Sequence, residues 1–203
     1  MGKVTHIQKS RKEHRCNQCG NSIPVGSDYY KGEINFGPTI IRCNKCGLKS
    51  WEVTTSDYLL AVGPIVEEWG EHYSLDASGV EDMISELESI RDDVQERLDN
   101  MPESLQYGDV GSQLQDRIDG LESAISELED IYIEDIQSDA VSDKSEEIAE
   151  VLGISEEYLS DMEYDEICEK LEVLDNDLLN EIVSSVESAI SDAVQAAISN
   201  IEY

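Results

Sequence analysis

Four of the five cysteines in this 203-residue chain stand in two near-copies of one hexapeptide, "RCNQCG" (15–20) and "RCNKCG" (42–47). Cys16, Cys19, Cys43 and Cys46 thus read C-x2-C, 23 residues, C-x2-C. Two residues between paired cysteines let both sulfurs point at one ion while turn N–H groups face the thiolates. Gly20 and Gly47 directly follow each pair, where a tight turn often needs positive φ. Four thiolates about 2.3 Å from a central ion make a closed tetrahedral zinc site. One structural Zn²⁺ held by these four cysteines is therefore expected. A rubredoxin-like iron site, whose knuckles also read C-x2-C-G, and a pair of disulfides are the competing readings. Catalytic zinc is disfavoured, because four thiolates leave no position for water. Cys168 stands apart beside Ile167 and Leu171 in a helical pattern and reads as a small buried hydrophobe.

The segment between the knuckles fits a β ribbon. "NSIPVGSD" (21–28) is turn-rich, "YYKGEI" (29–34) alternates as a strand, "NFGP" turns the chain and "TIIRC" (39–43) returns it. Tyr29, Tyr30, Ile34, Phe36, Ile40 and Ile41 are the material for its core. A domain of about 35 residues is too small to stand on that burial, so the metal must supply much of its folding energy.

Charge divides the chain. Residues 1–50 carry nine basic and three acidic side chains, a net +6, whereas the remainder carries five basic and 43 acidic. Such asymmetry marks two tasks or two partners and argues against general adaptation to salt. In the basic head, Lys9, Arg11, Lys12, Arg15, Lys31, Arg42, Lys45 and Lys49 are candidates for phosphate contact, with Tyr29, Tyr30 or Phe36 for base stacking. Four thiolates and one Zn²⁺ lower the net charge of the head to about +4, a modest value for nucleic-acid binding.

The stretch "HRCNQCGNSIPVGSDYYKGEINFGPTIIRCNKCG" resembles the short zinc ribbons near the N-termini of many phage and prophage proteins of unassigned function. The resemblance implies Cys16, Cys19, Cys43 and Cys46 as ligands and no particular activity. "RDDVQERLDNMPESLQYGDVGSQLQDRIDGLESA" (91–124) is similar to a helix-turn-helix segment that recurs in such proteins.

The rest reads as helix. Residues 51–79 form a connector with a short helix near 56–69, from which Trp51, Tyr58, Leu59 and Trp69 cover the ribbon or join the helical core. Ser78 with Glu81 forms a capping box ahead of an apolar stripe from Val80 to Leu98, which Pro102 stops. Ser112 with Gln115 opens a second stripe, Leu114 to Ile131, so 80–136 is expected to be an antiparallel hairpin. "QSDAVSDKSEE" (137–147) reads as a linker, and 145–152 and 155–162 as short helices. From 167 to 201 the apolar residues recur about every 3.8 positions, above a heptad's 3.5, which suggests one long amphipathic helix packing on the hairpin or on a second copy. The expected class is α+β: a β zinc ribbon (1–50), a connector (51–79), a hairpin (80–136) and an acidic helical region (137–203).

No catalytic constellation is legible. His6, His14 and His72 lack a partnered nucleophile, no phosphate-binding loop occurs, and no histidine lies between Cys19 and Cys43 as an HNH-type nuclease would need. The expectation is a non-enzymatic protein-interaction module. Nucleic-acid binding through the basic ribbon is the alternative, and mimicry of nucleic acid by the acidic helices the third. With neither a secretory signal nor an apolar run of about 20 residues, a soluble protein of a reducing cytoplasm, with no membrane partner, is expected.

Overall fold

The computed structural model describes residues 2–34 and 37–201. It is α+β, with short antiparallel strands at the N-terminal end followed, among the described residues, by nine helices. Its contacts divide it into two units, one up to Glu68 and one from Trp69 onward.

In the first unit β1 (Lys3–Ile7), β4 (Tyr29–Glu33) and β5 (Thr39–Cys43) form an antiparallel sheet in the order β1-β4-β5. β2 (His14–Arg15) and β3 (Ser22–Ile23) form a second, two-stranded ladder. β4 and β5 are the expected hairpin, whereas β1 is a strand that the sequence reading passed over. Its "KVTHI" pairs Val4 with Gly32 and His6 with Tyr30, and its alternation was the available signal.

The period-2 rule sorts the expected core residues onto two faces. Tyr29 is buried against the knuckle side with Cys16 and Ile23, and Ile7 and Ile41 pack on them. Tyr30 and Ile40 lie on the other face, half-buried. There Gly32 is covered by Leu48 and Val53 so closely that a Cβ would come within 2.7 Å of Val53 and 2.9 Å of Leu48. Phe36 lies outside the described residues. Leu48 and Val53, both buried, supply that cover, a role the sequence alone did not assign to them.

α1 (Asp57–His72) carries Pro64 inside and a non-helical Glu68 (φ −133°, ψ 16°). The break coincides with the boundary between the units. Tyr58, Val62 and Ile65 are buried within the first unit, where Trp51 lies against Gly63. Trp69 belongs to the second unit, and its indole N–H donates to Gln195 (3.3 Å).

The second unit begins with the hairpin α2 (Ala77–Asp99) and α4 (Asp109–Glu129), joined through the short α3 (Glu103–Gln106). The stop at Pro102 is where the stripe predicted it. The Gln106 side-chain amide donates to the carbonyls of Met101 (2.9 Å) and Leu98 (3.2 Å) at the end of α2. Both capping boxes shift. Asp76, not Ser78, caps α2, accepting from Gly79 N–H at 2.8 Å, and α4 starts at Asp109 after Gly108 with no side-chain cap. Backbone amides, Gly79 foremost, and the Ser74 hydroxyl hold the Asp76 carboxyl below its ordinary pKa. A group depressed in the folded state stabilises above its unfolded pKa, about 3.9, and loses that contribution as pH falls through the folded value. Asp76→Ala is therefore expected to lower the melting temperature at pH 7, with the gap from wild type closing as the pH drops below about 4. Thermal melts across pH check this.

The supposed linker is helical. α5 (Ile133–Asp143) runs through it to α6 (Ser145–Leu152), with Ile133 and Ala140 buried one above the other and α5 packed on α9. Tertiary burial of this narrow stripe outweighs the polar composition. α6 ends on left-handed Gly153 (φ 67°), whose successor Ile154 donates to Ala149 O in a Schellman arrangement. Ser155 caps the four-residue α7 (Glu156–Leu159). The long C-terminal helix is two helices, α8 (Tyr164–Leu174) and α9 (Asn176–Ile198). Asp175, extended at φ −152°, breaks it and accepts from Leu178 N–H (3.1 Å), because an aspartate gains more as an N-cap than inside a helix. The apolar stripe of α9, from Leu178 to Ile198, is buried within the chain, where α9 packs on α4, α5 and α8. Among the described residues no helix is long and apolar enough to cross a membrane.

Candidate metal centre

Each knuckle is a tight turn at the end of a ladder. Gly20 N–H donates to Cys16 O (3.0 Å) in the first, and the amides of Cys46 and Gly47 donate to Cys43 O (3.1 Å each) in the second. Gly20 (φ 71°) and Gly47 (φ 66°) take the left-handed conformation their position implied. Nothing lies within 4 Å of a Cβ built on Gly47. Gly47→Ala thus costs only the backbone term, about 1–2 kcal/mol, and should weaken metal retention in a chelator competition without removing it.

The turns bring Cys16, Cys19, Cys43 and Cys46 together, with all four sulfurs within 4.8 Å of one another. Cys19 Sγ and Cys43 Sγ are 3.8 Å apart. That is the edge of a tetrahedron whose corners lie about 2.3 Å from its centre, the distance at which thiolates hold zinc. It is far beyond a disulfide bond, and all four cysteines are free. The donor set fits a metal ion.

Charge on the sulfurs is unevenly prepared. Burial pushes the Cys16 thiol up, but N–H groups of Cys19, Cys43 and Gln18 converge on it and bring it well below the ordinary thiol range. Cys46 is driven the other way, first by its hydrogen bonds with Cys43 and Cys19 and then by burial. An arriving cation binds thiolates, so it displaces the protons that the thiols carry. Bound there, a divalent ion would cross-link the two knuckles; all four donors are protein sulfurs.

The near-identical hexapeptides diverge in their outer residues. Asn17 ties the first knuckle to β5, giving its amide N–H to Ile41 O (2.8 Å) and accepting from Ile41 N–H through its side chain (2.6 Å). The sequence reading gave Asn17 no role, although its place inside both repeats marked it. Arg15 folds back so that Nε donates to Gly20 O (2.8 Å). Arg42, its counterpart, instead pairs with Glu52 (2.8 Å), whose other oxygen accepts from Lys49 N–H.

The remaining phosphate-contact candidates also separate. Lys31 pairs with Glu33 and Lys49 with Glu68. Lys9, Arg11, Lys12 and Lys45 are exposed and stand outside the ion pairs of the described residues. Three of these four share a loop held by the buried Ser10, which exchanges backbone hydrogen bonds with Ser27 and Gly26. Of the stacking candidates, the two within the described residues do not present free rings: Tyr29 is buried, and Tyr30 is stacked under His6 with centroids 4.6 Å apart. His14 packs on Tyr29. Cys168 is half-buried on α8, where burial first, and the Asp165 charge with it, raises its thiol despite a hydrogen bond with Tyr164.

Compared with protein-family models, curated proteins and solved structures, the chain matches none.

Proposed function

We propose that this chain is a zinc-binding accessory protein, of the phage type its ribbon resembles, that works as a non-catalytic protein-interaction module. The observation that carries this reading is the turn of the α2–α4 hairpin. Leu105, Tyr107 and Val110 lie within six residues and are 54%, 85% and 57% exposed. Single apolar residues on a surface are ordinary, but an aromatic and two aliphatic side chains gathered at one turn are the composition of a contact site. In this reading zinc holds the ribbon together and the helices present the contact.

The test is affinity capture from host cells, treated with nuclease, with the wild type and with Leu105→Ser/Tyr107→Ser/Val110→Ser. A protein retained by the wild type and lost by the variant is expected. Equal retention by both takes the hairpin turn out of the proposal, and capture of no protein by either rejects protein interaction.

Nucleic-acid binding stays as a second reading because the Ser10-anchored loop presents Lys9, Arg11 and Lys12 with their charges uncommitted, and Lys45 is likewise unpaired. Lys9→Gln/Arg11→Gln/Lys12→Gln should then abolish a salt-dependent shift of single-stranded DNA.

A further inference from the structure

Within the helical unit a cleft of about 780 Å³ lies among α5, the start of α6, α7 and the start of α8. Its size falls in the range of built ligand sites, about 300–1,000 Å³. Apolar side chains line part of it: Val141, Leu159, Met162 and Ile167, of which Leu159 and Ile167 are almost wholly buried. Four carboxylates, Glu134, Glu156, Glu163 and Asp165, line it as well, together with hydroxyls such as Ser138 and Ser160. No basic residue is among its lining.

The placement of these charges has a local cause. Glu134, Glu156 and Asp165 stand in the first turns of α5, α7 and α8, and Glu163 immediately precedes α8. Helix N-termini favour carboxylates there, so the negative charge is held in place by the fold itself. Lys144 and Lys170, the nearest basic residues in sequence, are committed elsewhere, to Glu147 and Glu181 and to Glu166. None of the four cleft carboxylates is in an ion pair among the described residues.

We infer that this cleft receives a basic amphipathic peptide segment of the partner protein, its apolar side chains against Val141 and Met162, over the buried Leu159 and Ile167, and its Lys or Arg groups against the four carboxylates. The inference rests on the protein-interaction reading and gives the partner's contacting segment a chemistry. Charge complementarity selects a cation, and the apolar wall selects one that carries hydrophobic side chains over a bare polycation.

The experiment is a fluorescence-anisotropy titration of the full zinc-loaded chain with a labelled amphipathic peptide built of lysine and leucine. Its glutamate-for-lysine analogue and labelled spermine are titrated in parallel. Glu156→Gln/Glu163→Gln/Asp165→Asn should weaken the lysine peptide about tenfold at low salt, three partly exposed charge pairs contributing roughly 0.5 kcal/mol each. Ser138→Trp, which fills the cleft without changing charge, should weaken it comparably. Asp92→Asn/Glu96→Gln/Asp99→Asn on α2, equal in charge change, should leave it within about twofold, and circular dichroism confirms that each variant is folded. Equal loss in the α2 variant would reduce the effect to general polyanion attraction and overturn the site. Spermine binding as tightly as the peptide would overturn the role of the apolar wall. No binding of the lysine peptide rejects the cleft, and does so independently of whether affinity capture retains a partner.

Discussion

Replacing Cys43 with serine is expected to unfold the ribbon and to leave most of the helical circular dichroism in place. A serine hydroxyl stays protonated and is a poor zinc ligand, so the second knuckle keeps only Cys46 and the tetrahedral set is incomplete. Binding of a structural zinc supplies about 10–16 kcal/mol to small domains that fold around it. The core on the knuckle side has Cys16, itself a ligand, Ile23 and Tyr29 as its buried residues. Leu48 and Val53 still cover the other face of the sheet, but without the ion the knuckle side keeps only this small cluster, too little to hold the two turns and the β2–β3 ladder in place. The helices from α2 to α9 lie in the other unit, with their own core from Val80 to Ile201. Elemental analysis should therefore fall from one zinc per chain to none, limited proteolysis should move into residues 2–50, and far-ultraviolet ellipticity should change little. A chelator should do the same to the wild type. Retained zinc with an unchanged digestion pattern would refute a metal-dependent ribbon; iron in the wild type would replace zinc by a rubredoxin-type site.

Leu121→Ala is the corresponding change in the helical unit. Leu121 is fully buried on α4, the helix that packs on both α2 and α9. Truncation removes its transfer free energy and leaves a cavity in an interface that three helices share, so relaxation is limited. The expected loss is about 2–5 kcal/mol, a fall of roughly 10 °C in the melting temperature of this unit. Zinc content should not change, since the ribbon belongs to the other unit. Val173, a large hydrophobe but 84% exposed, is the control: Val173→Ala should stay within about 0.5 kcal/mol. A loss at position 121 no larger than that at 173 would mean that α4 is not central to the core.

Local chemistry made part of this protein readable from its residues. The knuckles were legible because metal geometry restricts both the ligand type and the spacing, and because Gly20 and Gly47 must take positive φ where they stand. The hairpin was legible because two apolar stripes of similar length flank Pro102, which would remove a hydrogen bond from a helix interior and clash with the preceding turn. The break at Asp175 and the helix over 133–143 were not. Polar residues dominate α5, and Ile133 and Ala140 are buried through its packing on other helices, α9 foremost. A repeat of about 3.8 residues runs through Asp175 uninterrupted, so composition alone could not show that its carboxylate would cap a new helix at Leu178. The same holds for charge. Sequence identifies which residues are basic, but only the folded ribbon commits Arg42 to Glu52 and Lys31 to Glu33 while leaving Lys9, Arg11 and Lys12 exposed on the loop anchored by Ser10. Metal ligation and backbone stereochemistry act over a few residues and are written in the order of the chain; burial and ion pairing join residues distant in sequence, and only the tertiary structure decides them.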